Sequence, residues 1–293
     1  KAKHLQNIRS HVLKAGADSH QFPAFGAFGT AYHAVGVDLT GTTQTANQGE
    51  KVIYADRPLI SHTMIDNLQE MLMAAPMRQE YAANMGRELG EVIDNNVARV
   101  IHDGAVASAT YTGGPQGYTL TDSATSLAAI TAADVIGWIH SFAQHLDDKN
   151  VPEEDRFIAL RPQQYRLLLD LSATTNLWLS QDYKSTADTA EGMLPRYAGF
   201  NIIKSTNLPT DTFTGDTNRI DGTGGTKGND YTADMAKNVC IGFHKSAAGA
   251  VRVADVAVET ERMIEFQADL VVAKTILGVG VLRPEACGRL LFT

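Results

Sequence analysis

Apolar residues recur along this chain at two different periods, and the change of period divides it. Between Pro76 and Gly104, Met77, Tyr81, Met85, Leu89, Val92, Ile93 and Val100 fall three or four residues apart, which predicts one face of a long helix. Pro76 suits a first helical position, and Gly104 suits a stop with His102 in the last turn. A helix over 76–103 would run about 40 Å, far longer than the usual three turns. Arg78, Glu80, Arg87, Glu88, Glu91 and Asp94 populate its other faces. Just upstream, Asp66 is placed to cap a short turn over Leu68 and Leu72.

A second helical stripe runs through Val135, Ile139, Phe142 and Leu146, opened by a Thr131/Asp134 capping box and ended by Asn150 and Val151-Pro152. Arg156–Leu160 reads as a short buried strand. Arg161-Pro162 then opens a third helix through Tyr165, Leu168, Leu169 and Leu171. After residue 238 the period becomes two. Val251, Val253, Val256 and Val258 alternate with polar residues, and Leu270–Ala273 and Leu290–Phe292 read as buried strands. Helix, strand, helix in this order implies a mixed α/β domain.

Elsewhere the pattern is thinner. Leu5, Ile8, Val12 and Leu13 make one amphipathic turn or two, broken by Gln21-Phe22-Pro23-Ala24-Phe25-Gly26, so 1–27 reads as an arm without its own core. Residues 28–64 read as a long hairpin, with limbs Gly29–Asp38 and Glu50–Met64 around a polar Thr/Gly tip at 39–49. Ten residues per limb would extend about 33 Å. A lone two-stranded ribbon is marginal in water, so this hairpin is expected to lean on something else. Residues 104–130 are small and polar. Residues 205–238 hold eight Thr, five Gly and five Asp, which predicts a long mobile surface loop.

Composition changes the picture mainly by exclusion. A net charge of −8 over 293 residues is the wrong sign for gripping nucleic-acid phosphates over the whole surface. No apolar run approaches the length of a membrane span, and no signal peptide is visible. The chain begins at Lys1 rather than Met, so further residues are expected before it. Cys240 and Cys287 stand alone in apolar stretches and read as reduced, buried thiols.

Candidate chemistry is sparse. His140 and His145 are five apart on a helix and point in different directions. His102-Asp103 is a chance pairing, and no H-E-x-x-H or nucleophile elbow occurs. Gly222–Gly228 faintly resembles a phosphate loop, but Lys227 is followed by Gly, and the required strand and helix do not flank it. Glu153, Glu154 and Asp155 beside Pro152 read as a solvated turn. No catalytic, cofactor-binding or metal-binding residue is assigned; no cofactor and no enzymatic activity are expected.

A collinear set of short motifs carries more weight. It runs from Gln21-Phe22-Pro23 with Gly26, through Ala31-Tyr32, Glu50–Ile53, Arg78 with Glu80-Tyr81, and Val151-Pro152 with Asp155-Arg156. It continues with Ile241–Gly249, Phe266–Asp269, Ala273-Lys274, Gly278–Gly280 and Leu282–Ala286. Together these resemble the major capsid proteins of short-tailed (podovirus, Autographiviridae-like) double-stranded DNA bacteriophages. The resemblance implies an α+β, Hong Kong 97-like fold: an N-terminal arm at 1–27, an extended hairpin loop at 28–64, a peripheral domain with the spine helix at 65–115, an axial domain at 116–245, and peripheral return strands at 246–293. The hairpin tip and 205–238 match nothing in that family pattern.

It further implies a virion shell of hexamers and pentamers built in the bacterial cytoplasm. The implied partners are other copies of the chain, a scaffolding protein, a portal protein at one vertex and in some cases a cement protein. Double-stranded DNA would be enclosed without specific binding, and no membrane is involved. Candidate contacts between copies are Asp38, Lys51, Asp56 and Arg57 of the hairpin, Arg78, Glu80 and Arg87 of the spine helix, and Arg283 and Glu285. Some members of the fold cross-link a loop lysine to a neighbour's asparagine; Lys51 would be the candidate, but no motif for it is present. The alternatives are an encapsulin-like compartment shell, against which a neighbouring portal or terminase gene would argue, and an α/β enzyme with an unrecognised site, which would be a small monomer or dimer.

Overall fold

A computed structural model describes residues 3–14, 16–26, 32–33, 35–36, 47–72, 77–111, 114–175, 196–214, 218–221 and 226–293. In chain order these form β1 (Arg9–Val12), β2 (Ser19–Phe25), β3 (Gln48–Tyr54), β4 (Leu59–Asp66), α1 (Asn67–Leu72) and α2 (Met77–Gly104). β5 (Tyr118–Asp122), α3 (Ala132–Asp148), β6 (Arg156–Leu160), α4 (Pro162–Thr175), β7 (Arg196–Tyr197) and β8 (Phe200–Lys204) follow. The chain closes with β9 (Thr212–Phe213), β10 (Ala233–Asp234), β11 (Asn238–His244), β12 (Ala248–Met263), β13 (Ala268–Val281) and β14 (Cys287–Phe292).

The main core lies between α3 and a six-stranded sheet ordered β5-β14-β11-β6-β8-β7. Thr131 and Asp134 form the capping box expected from sequence, the Thr131 amide donating to Asp134 at 2.9 Å. The predicted stripe of Val135, Ile139, Phe142 and Leu146 is fully buried, together with Trp138. Phe142 lies flat on the sheet because two glycines, Gly242 and Gly288, sit opposite each other on β11 and β14. A Cβ on either would come within 2.4–2.5 Å of the Phe142 ring. Arg156, itself buried, ends the helix by donating to the Pro152 and Val151 carbonyls and to Asp147.

A four-stranded sheet, β1-β12-β13-β4, makes the second layer. α2 crosses it, closing a small core of Ile65, Met85, Leu89, Val271 and Ala273. The helix changes character along its length. From Ile93 to His102 its residues are buried almost all round, apart from Asn95 and Asn96, whereas from Arg78 to Val92 it is largely exposed. β12 and β13 form a long hairpin: the far half of β13 is covered by β4 and α2, whereas β12 is exposed from Val253 to Arg262 and the turn at Ile264–Gln267 is open.

Three sequence expectations change. Gln21-Phe22-Pro23 does not break the chain: it lies in β2, antiparallel to β3, with Pro23 opposite Glu50. A two-stranded ribbon tolerates Pro because each strand is also an edge, with an outward side that needs no donor. The proposed limb Gly29–Asp38 and the tip fall mostly outside the described residues. Its supposed partner, Glu50–Met64, is not one limb but two strands in different sheets, separated at 55–58 where Pro58 removes a donor.

Second, the arm is tied down. β1 adds in parallel to β12, and the Lys3, His4 and Leu5 amides donate to Asp94 at 2.6, 2.8 and 3.2 Å. Third, 205–238 is not a free loop. Its described parts bury Leu208, Asn229, Tyr231, Ala233 and Met235 and form β9–β10. The polar composition that predicted solvent exposure instead supplies side-chain hydrogen bonds inside the fold. Leu290–Phe292, grouped in sequence with the return strands, lies in β14 of the six-stranded sheet.

Candidate assembly surfaces

Three features carry exposed surface: the β2–β3 ribbon, the first half of α2, and the outer strand and turn of the β12–β13 hairpin. The ribbon lies against residues 110–111, where a Cβ on Gly49 would come within 2.3 Å of the Thr110 carbonyl oxygen and one on Gly26 within 2.9 Å of the Tyr111 ring, and it is anchored at its base. There Ile53 is fully buried over Gly249 and Gly280, which face each other on β12 and β13. Gly278 allows the Tyr54 carbonyl to approach to a point where a Cβ would sit 1.8 Å from its oxygen. Asn229 then substitutes for a missing strand neighbour, accepting from the Tyr54 amide at 3.2 Å and donating to its carbonyl at 2.7 Å.

Asp56 sits beneath this clamp. It accepts from Asn229 at 2.9 Å, from Asn218 at 3.2 Å and from the Tyr231 hydroxyl, which in turn accepts from the Val279 amide at 2.9 Å. Burial pushes the Asp56 carboxyl up to about 6, against the hydrogen bonds, which pull it down. The same burial, with the carboxylate beside it, raises the Tyr231 hydroxyl. Asp56, expected at a contact between copies, is therefore an internal bolt at the root of the ribbon.

The other expected contact residues divide. Asp38 lies outside the described residues. Lys51 and Arg57 are exposed beside the ribbon base, and Glu80 and Arg87 are exposed on α2, where Arg87 donates to Asn84 at 3.2 Å. Arg78 forms an ion pair of 2.5 Å with Asp269 of β13 and pins the helix start to the sheet. Arg283 donates to Glu285 at 2.7 Å, and Glu285 is buried. Sequence reading missed the inward polar residues of α2. Asp94 holds the arm, Arg99 lies 4.2 Å over the Phe213 ring, and His102 faces Arg289 at 3.2 Å. Their only signal was a charge inside the helix's second half, which periodicity alone assigns to solvent.

Exposed apolar side chains concentrate on the projecting parts. Phe25 stands on the ribbon, Leu68, Met71 and Leu72 on α1, Ile60 and Met64 on β4, and Val256, Val258, Ile264 and Phe266 on the distal β12–β13 hairpin. Among the described residues no three His, Cys, Asp or Glu side chains group to hold a metal ion. Nor is any described helix long and apolar enough to cross a membrane. Both cysteines are free and buried, and burial holds their thiols far above the ordinary range.

The chain matches proteins of known role over nearly its whole length. A family model described as Gp10A-like major capsid protein covers residues 21–291. The major capsid protein of Escherichia phage T7 is 28% identical, over 96% of this chain and 85% of that one. That of Enterobacteria phage T3 is also 28% identical, over 96% and 84%. Among solved structures, the capsid of Cyanophage P-SCSP1u superposes with a TM-score of 0.82 at 29% identity, covering 98% of this chain and 86% of the other. The mature capsid of bacteriophage PhiM1 shares the fold at 16% identity, with a TM-score of 0.75 over 100% and 87%. The architecture is the Hong Kong 97-like fold of phage capsids. Matched by that family model over residues 21–291, the chain belongs to the Gp10A-like family of phage major capsid proteins, which build the virion shell.

Proposed function

We propose that copies of this chain associate as hexamers and pentamers, and that these close into an icosahedral shell around a double-stranded DNA genome. One observation carries the reading: the distal β12–β13 turn and the β2–β3 ribbon bear exposed apolar residues that no described residue covers. Contiguous exposed apolar surface of this kind marks interaction sites. The energy of the shell comes from many modest contacts between copies.

The role is structural rather than catalytic. The net charge of −8 supports packing DNA against the wall without adhesion, by sign alone. Assembly in the bacterial cytoplasm with a scaffolding protein, a portal protein at one vertex and in some cases a cement protein completes the reading. Negative-stain electron microscopy of the chain, expressed with its scaffolding partner, tests it. Closed, uniform particles are the expected result. A preparation that stays monomeric or dimeric at high concentration overturns it.

A further inference from the structure

A cavity of about 510 Å³ opens where the ribbon meets the base of the β12–β13 hairpin. Phe22, Phe25 and Tyr111 give it aromatic walls, and Arg9 and Lys51 bring two cations to it. Neither cation has an ion pair or side-chain hydrogen bond among the described residues. Asp103 feels Lys51 only through space. The cavity's third cation, Arg283, is already paired with Glu285. Its volume falls within the range of about 300–1,000 Å³ in which proteins hold small ligands, enough for a few side chains but not for a whole element.

The opposite end of the same hairpin carries the complementary chemistry. At the β12–β13 turn, Ile264 is 75% and Phe266 61% exposed, which leaves two large apolar side chains in water at the tip of a projection. Glu261 and Glu265 flank them, both exposed and without a partner among the described residues. Arg262 is the single cation within 259–267. Ser246, Leu282 and Arg283 line the cavity, so the tip lies the full length of β12 away, roughly 45–50 Å. The tip therefore cannot reach the cavity of its own chain.

We propose that the cavity receives the β12–β13 tip of a second copy. Phe266 and Ile264 enter against the aromatic walls, and Glu261 and Glu265 meet Arg9 and Lys51. Such a contact is heterologous: donor and acceptor are different patches on each copy, so every copy gives one tip and takes one. Contacts of this type close into rings or continue from copy to copy, as a shell requires. The proposal rests on the shell reading above and names one contact within it.

Charge reversal tests the pairing. An acceptor variant carries Arg9→Glu and Lys51→Glu; a donor variant carries Glu261→Lys and Glu265→Lys. All four sites are exposed in the monomer, so thermal unfolding should be unchanged. Each variant is expected to lower the yield of closed particles about tenfold, as losing one interface hot spot would. The four changes combined are expected to recover most of that yield. Phe266→Asp, which touches nothing in the monomer's core, should lower it as well.

Wild-type yield from either charge variant or from Phe266→Asp overturns the contact. So does a fourfold variant no better than its parents. A wild-type chain that forms no particles in the same preparation overturns the shell reading and this contact with it.

Discussion

Single residues at the root of the ribbon and at the end of α2 set a pH dependence whose two parts oppose each other. Burial, then the neighbouring Arg289, pushes His102 down to about 4, so it is neutral in the folded chain. As pH falls below its ordinary value of 6.5, the unfolded chain takes up a proton that the folded chain refuses. His102 thus costs up to roughly 3 kcal/mol of stability by pH 4. Asp56 acts in the opposite sense. Its folded value of about 6 lies above the ordinary 3.8, so the folded chain holds a proton between pH 6 and 4 that the unfolded chain releases. Its contribution is fully present below 3.8 and is lost as pH rises through 6, again roughly 3 kcal/mol. Relative to wild type, His102→Gln should make the melting temperature hold up better as pH drops from 6.5 to 4.5, and Asp56→Asn should make it fall faster. Melting curves of both variants that run parallel to wild type across this range would contradict the assignment.

At the scale of elements, helix and sheet meet through glycine-lined recesses rather than through matched large side chains. Phe142 of α3 occupies the recess of Gly242 and Gly288, stacked on Trp138 at 5.3 Å and Phe200 at 5.6 Å between ring centres. Gly288→Ala should cost about 2 kcal/mol or more through overpacking, read as a loss in denaturant midpoint. Adding Phe142→Leu, which trades the flat ring for a shorter side chain, should cost less on that background than alone, because the two changes share one space. Strictly additive losses would show that the ring does not set the requirement for glycine. The α3 cap is a smaller and independent contribution: Thr131→Ala should lose about 1 kcal/mol, because the Asp134 amide loses its acceptor.

For the whole molecule, the division is between contacts that fold the chain and exposed surfaces, such as the β12–β13 turn, that take no part in its core. Deleting residues 39–46 spares the paired strands β2 and β3, so the chain should still unfold cooperatively at its usual temperature. On the proposed shell reading, closed particles should be lost. Particles of normal size and yield from this deletion would remove the hairpin from assembly. The buried network of Asp56, Asn218, Asn229 and Tyr231 fixes the ribbon to the body, so the direction in which the ribbon leaves the chain is set before any neighbour arrives.

Periodicity alone determined the elements with strong local signals. The long helix ends at Gly104, α3 carries its Thr131 cap and buried stripe, and β6 runs over Arg156–Leu160. Each of these depends on residues within a few positions of one another, so a linear reading contains what it needs. Only the tertiary structure decided which strands pair. Ser19–Phe25 rather than a later segment meets β3, β4 leaves β3 for another sheet, and Tyr118–Asp122 in an unpromising polar stretch becomes β5 beside β14. It also decided the fate of polar residues. Asp56 read as a contact between copies, Asp94 as a charge on an outer helix face, and 205–238 as a free loop, because a carboxylate or an asparagine is soluble by itself. Each is buried here only because donors 90 to 175 positions away in the chain satisfy it.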